Sequence, residues 1–103
     1  MNTSINKYDA IEALIIEGGL RIINVDFEDS GEHFIVHLNT GATLRQRTSE
    51  YHKLESAAIE QLRKFEIIAD GTGLHWPQID EDLSLKGFLE NEIRHLVKMP
   101  HAA

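Results

Sequence analysis

The chain has 103 residues, of which 42% are apolar and 26% charged, with no cysteine and a formal net charge of -7 at pH 7. That length suits one domain with a modest core, and the missing cysteines remove disulfides, thiolate nucleophiles, iron-sulfur clusters and most structural zinc sites. The longest clean apolar run, residues 13–16, falls far short of the roughly 20 residues that cross a bilayer, and residues 1–4 lack the basic and apolar regions of a signal peptide, so a cytoplasmic protein is expected.

Within residues 6–17, Tyr8, Ile11, Leu14 and Ile15 recur at helical spacing and Gly18-Gly19 supplies a stop, which predicts a first helix. Ile23, Val25 and Phe27 then alternate with Asn24 and Asp26 as in a half-buried strand, and Asp29-Ser30-Gly31-Glu32 reads as a turn. Phe34, Val36 and Leu38 form the apolar side of a second strand. Asn39-Thr40-Gly41 leads to a third strand containing Thr43, Leu44, Arg45 and Arg47, completing an antiparallel meander.

From residue 49 to 65, Leu54, Ala58, Leu62 and Phe65 make one stripe of a single middle helix. Residues 65–69 read as a short strand, Asp70-Gly71-Thr72-Gly73 as a turn, and Leu74-His75-Trp76 as a strand stopped by Pro77; these two pieces are expected to pair as a short hairpin. Ser84 can cap a last helix striped by Leu85, Phe88, Leu89, Ile93 and Leu96, with Gly87 as a weak point inside it. The expectation is one α+β domain over residues 1–98, with N-terminal, middle and C-terminal helices around a three-stranded meander and a short hairpin, and a frayed tail at 99–103. No repeat or heptad series is visible.

Residues 73–89 carry a more particular signal: Gly73-Leu74-His75-Trp76-Pro77, a spacer, then Ile79-Asp80-Glu81-Asp82-Leu83-Ser84, with Gly87-Phe88-Leu89 two residues further on. This run resembles the closing signature of the bacterial domain-of-unknown-function family 2442, and the likeness continues more weakly through residues 34–44 and 59–67, in all about two thirds of the chain. Where that family commonly reads Trp-Tyr-Pro, a basic residue and Leu, this chain reads Glu50-Tyr51-His52-Lys53-Leu54 and keeps only Tyr51 and Leu54. The resemblance implies a small bacterial protein, sometimes encoded beside another small protein in arrangements like toxin and antitoxin pairs. It brings no activity that could be assigned residue by residue.

His75, Trp76, Asp80, Glu81 and Asp82 could form a ligand or partner site, since an imidazole and carboxylates held by a proline turn are the raw material of acid-base or metal chemistry. The competing reading is structural: Trp76 fills the gap between sheet and helix, and the acids lie before the last helix, where negative charge complements the N-terminal dipole. His33 and His37 stand roughly 13 Å apart on an extended strand at 3.3 Å per residue, too far to share one ion. Asp70-Gly71-Thr72-Gly73 lacks the Lys-Ser/Thr of a phosphate loop, and Ser49, Ser56 and Ser84 lack a strained glycine elbow. No enzyme motif is found, and no cofactor or metal is expected.

Charge is uneven: residues 41–65 hold five basic side chains (Arg45, Arg47, Lys53, Arg63, Lys64) against three acidic ones. One mildly basic segment in an acidic chain is a poor basis for binding nucleic acid alone. The reading reached by elimination is a non-enzymatic protein-interaction or regulatory module, with a homodimer predicted through Phe88, Ile93 and Leu96. The alternatives are a nucleic-acid-linked regulator that uses the basic segment within a complex, and an acidic inhibitor that occupies the basic groove of a nucleic-acid-binding protein.

Overall fold

In the computed structural model, which describes residues 8–97, the first helix begins with a reciprocal cap. The Asp9 carboxylate accepts the Glu12 backbone N–H at 2.8 Å and the Glu12 carboxylate accepts the Asp9 N–H at 3.1 Å. Two otherwise orphaned donors are satisfied this way, and the helix, α1, runs over Ala10–Ile16. Gly19, at φ +72°, then turns the chain toward the first sheet.

That sheet has the order β1 (Ile22–Phe27), β2 (His33–Leu38), β3 (Thr43–Arg47), all antiparallel. Phe34, Val36 and Leu38 point into the core as the alternation predicts. In β1 the pattern is corrected: a bulge between Ile22 and Asn24 puts Ile22 in the core with Val25 and Phe27, and leaves Ile23 59% exposed. The bulge is held where Arg21 N–H donates to the Asn39 side-chain oxygen and Asn39 N–H donates to the Arg21 carbonyl, each at 2.9 Å.

The single middle helix expected over residues 49–65 is three short pieces instead: a 3-10 turn at Thr48–Glu50, α2 (His52–Glu55) and α3 (Ile59–Leu62). Ser56 Oγ bonds back to the His52 carbonyl at 3.2 Å, and Ala58 takes an extended conformation at φ -75°, ψ 153°. A continuous helix would have put the methyl of Ala58 between Leu54 and Leu62. With the break, Ala58 is exposed and the larger Ile59 packs against the core that contains both leucines.

The expected hairpin is a full second sheet, β4 (Glu66–Ile68), β5 (Gly73–Trp76) and β6 (Glu81–Ser84), again antiparallel. A 3-10 turn at Ala69–Gly71 links β4 to β5; Gly71 has φ +86° and lies so close to Arg21 and Ile22 that a side chain there would press on both. The last helix, α4 (Leu85–Val97), starts where Ser84 Oγ accepts the Gly87 N–H at 3.0 Å. The chain thus has an α+β fold, with two small sheets and four helices among the described residues.

Phe34 lies near the centre of the aromatic core, stacked on Phe27 at 4.9 Å between ring centroids and edge-on to Phe88 at 5.9 Å. The N-terminal helix docks on the C-terminal one through Lys86, whose amine meets Glu12 at 2.9 Å and Asp9 at 3.2 Å. Among the described residues no helix is long and apolar enough to cross a membrane. The tail at 99–103 lies outside the described residues.

Candidate functional site

The signature segment is taken apart by its own strand geometry. Trp76 is wholly buried and its indole N–H donates to the Leu62 carbonyl at 2.9 Å, so this side chain ties the second sheet to α3 and presents no surface to a ligand. His75 faces partly outward and meets Asp82, its cross-strand partner, Nδ1 to Oδ1 at 2.5 Å. That hydrogen bond to the carboxylate raises the His75 pKa above its ordinary value. Asp80 occupies the β5–β6 turn at φ +53°, and its carbonyl accepts the Lys53 amine at 2.7 Å. Glu81 and Asp82 belong to β6, not to a helix cap; alternation sends their side chains to opposite faces. The five residues therefore do not converge on one pocket.

A different polar group does converge. Gln46, on the core-facing side of β3, is 2% exposed, and Asn91, on the buried side of α4, is 9% exposed. The Asn91 amide donates to Gln46 Oε1 at 3.1 Å, to Glu50 Oε1 at 2.9 Å and to the Tyr51 oxygen at 3.3 Å, while the Tyr51 hydroxyl donates to Gln46 Oε1. Arg94 donates to Asn91 Oδ1 at 3.2 Å, and His95 Nε2 lies 2.8 Å from the other Glu50 oxygen. Burial pushes the Tyr51 phenol up to about 12, so it stays protonated and acts as a donor. Each polar side chain in this group has a partner, which makes the network a clamp between α4 and β3.

Over the clamp lies a cleft of about 190 Å³ lined by His33, Arg45, Arg47, Glu50, Glu92 and His95, with Gln46 and Asn91 at its base. Small-molecule sites usually occupy roughly 300–1,000 Å³, and this cleft is smaller. Among the described residues no group of three or more His, Asp or Glu side chains is placed to hold a metal ion. His33 pairs with Glu28 at 3.1 Å and His37 with Asp26 at 2.7 Å, each on its own carboxylate.

The basic segment is divided as well. Arg63 meets Asp29 at 2.8 Å, Lys53 is held on the Asp80 carbonyl and Arg45 reaches Glu28 at 3.4 Å. Of the three residues expected at a dimer interface, Phe88 is corrected: it is wholly buried, edge-on to Phe34 and Tyr51, because α4 turns this face onto the first sheet. Ile93 and Leu96 lie on the exposed part of the helix at 45% and 70%. The clamp residues Gln46 and Asn91 escaped sequence reasoning, although each sits where the pattern calls for an apolar side chain, Gln46 two residues after Leu44 and Asn91 three after Phe88.

The profile of the family described as "Protein of unknown function (DUF2442)" matches residues 22–94. The chain belongs to this family. The match takes in both sheets, the clamp and most of α4, while α1 precedes it. Among solved structures, a protein of unknown function from Rhodospirillum rubrum is similar at 35% identity over 70% of this chain and 87% of its own, with a TM-score of 0.64. An uncharacterized protein from Chromobacterium violaceum shares the fold at 24% identity over the whole of both chains, with a TM-score of 0.65. No curated protein gives a significant match.

Proposed function

We propose that the chain is a non-enzymatic protein-interaction module that self-associates through the last two turns of α4. The observation that carries this reading is the exposure there of three aliphatic side chains, Ile93 at 45%, Leu96 at 70% and Val97 at 69%. Exposed aliphatics clustered on one helix end are the usual mark of an interface, and a twofold dimer is the commonest closed assembly. The saturated polar clamp and the small cleft are consistent with binding in place of turnover, since every polar group at the base of the cleft is already engaged.

Light scattering at micromolar concentration tests it. The expected mass is twice 11.7 kDa, returning to 11.7 kDa in Leu96→Glu and Ile93→Glu, whose positions are exposed enough to leave folding intact. A wild-type mass of 11.7 kDa rejects self-association.

A further inference from the structure

Among the described residues the first sheet ends at β3, which pairs with β2 alone. Leu38 N–H donates to the Ala42 carbonyl at one end of that ladder and Thr48 N–H to the Glu32 carbonyl at the other. Antiparallel bonding repeats every second residue, so Leu44 and Gln46 spend their backbone groups on β2. The N–H and C=O groups of Thr43 and Arg45 and the N–H of Arg47 turn outward; the Arg47 carbonyl opens the 3-10 turn at Thr48–Glu50, and the Arg45 carbonyl receives a long bond of 3.4 Å from the Gln46 amide. The opposite edge is less open, because the Phe27 carbonyl on β1 faces the Arg63 guanidinium at 3.5 Å.

We infer that the outward edge of β3 accepts an extended acidic segment of another protein as a fourth strand, its side chains reading acidic, neutral, acidic. The geometry is an edge strand beside the cleft under α4, an arrangement that takes peptides by strand addition. Charge decides the occupant. Arg45 and Arg47 stand on the same exposed face, and Arg47 has no acidic partner among the described residues. Acids two residues apart on an added strand would lie beside them. The residue between those acids lies beside Gln46 on the core-facing side of the strand, where the polar groups are already engaged and an uncharged side chain is the one that can be buried. A second copy of β3 is a poor occupant: antiparallel pairing centred on Arg45 sets Arg45 against Arg45, and directly opposed like charges destabilise a ladder. The proposal rests on the reading of the chain as a protein-binding module but not on its self-association, so light scattering and peptide titration can fail separately.

The test uses the full chain and two capped eight-residue peptides of identical composition, one alternating Glu with Thr and Val, the other with its Glu residues contiguous. Hydrogen exchange followed by NMR should show the Thr43, Arg45 and Arg47 amides slowed at least tenfold by the alternating peptide. The contiguous isomer should bind at least tenfold more weakly. Arg45→Glu combined with Arg47→Glu, both at exposed positions, should lose the alternating Glu peptide and gain its Lys counterpart. Equal binding of the two isomers, binding without protection of those three amides, absence of binding at millimolar peptide, or a preference for single-stranded DNA over the peptide would each overturn the proposal.

Discussion

Replacing Trp76 by Ala removes the largest buried side chain of the protein and the donor that satisfies the Leu62 carbonyl. Truncating a buried large aromatic costs about 3–5 kcal/mol, and a chain of this size has only about 5–15 kcal/mol of stability in all. At about 4 °C per kcal/mol, the lower end of the range for small domains, the melting temperature should fall by about 12–20 °C. Trp76→Phe keeps most of the aromatic volume but leaves the Leu62 carbonyl without its donor, which costs about 1–3 kcal/mol and should lower the melting temperature by about 4–12 °C while the variant stays folded. Circular dichroism follows both transitions. Because the sequence contains one tryptophan, the fluorescence of the unmodified protein also reports this site alone: native emission should be that of a buried indole and shift to the red in a single cooperative step on heating. A Trp76→Ala protein that melts with the wild type, or native emission at the wavelength of a solvated indole, would refute the assignment of Trp76 as the tie between the second sheet and α3.

Two further substitutions separate backbone strain from steric conflict. Gly71→Ala must hold a positive φ and place a Cβ 3.0 Å from Arg21 Cβ and 3.1 Å from the Ile22 carbonyl oxygen, so a loss of more than about 2 kcal/mol is expected in chemical denaturation. Gly41→Ala, at φ +93° with open space around it, should cost only the strain of about 1–2 kcal/mol; equal losses at the two sites would contradict the packing of Gly71 against Arg21 and Ile22. For the His75–Asp82 pair the sign follows from the raised folded pKa of His75. Its stabilisation is complete below the unfolded imidazole value of about 6.5 and disappears as pH rises through the higher folded value, so the gap in melting temperature between wild type and His75→Gln should be wider at pH 6 than at pH 9. A gap that widens with pH would refute this.

The elements legible in the sequence are those whose side chains repeat with a clear period and whose ends are marked chemically. The β2 alternation of Phe34, Val36 and Leu38, the Ser84 cap of α4 and the stop at Gly18-Gly19 each depend on neighbours a few residues away, and local chemistry is enough to place them. The family signature of residues 73–89 was equally plain, although its residues turned out to spread over a strand, a turn, a second strand and a helix start. What escaped was decided by pairing and packing partners, some of them adjacent and some distant in the chain. The strand β6 has one apolar residue in four, and its acidic sequence gives no strand signal; it is extended because β5 offers it a ladder. The break between α2 and α3 leaves Ala58 exposed and brings the larger Ile59 against the core, an outcome of tertiary packing that the stripe of Leu54, Ala58 and Leu62 does not show. The β1 bulge depends on the bonds between Arg21 and Asn39, and the burial of Phe88 and the clamp that joins Gln46 to Asn91, 45 residues later, arise only once α4 lies against the first sheet. Periodicity records which face of an element is apolar, but the neighbour that covers it, and the polar group admitted there because a partner satisfies it, depend on contacts that exist only after the chain has folded.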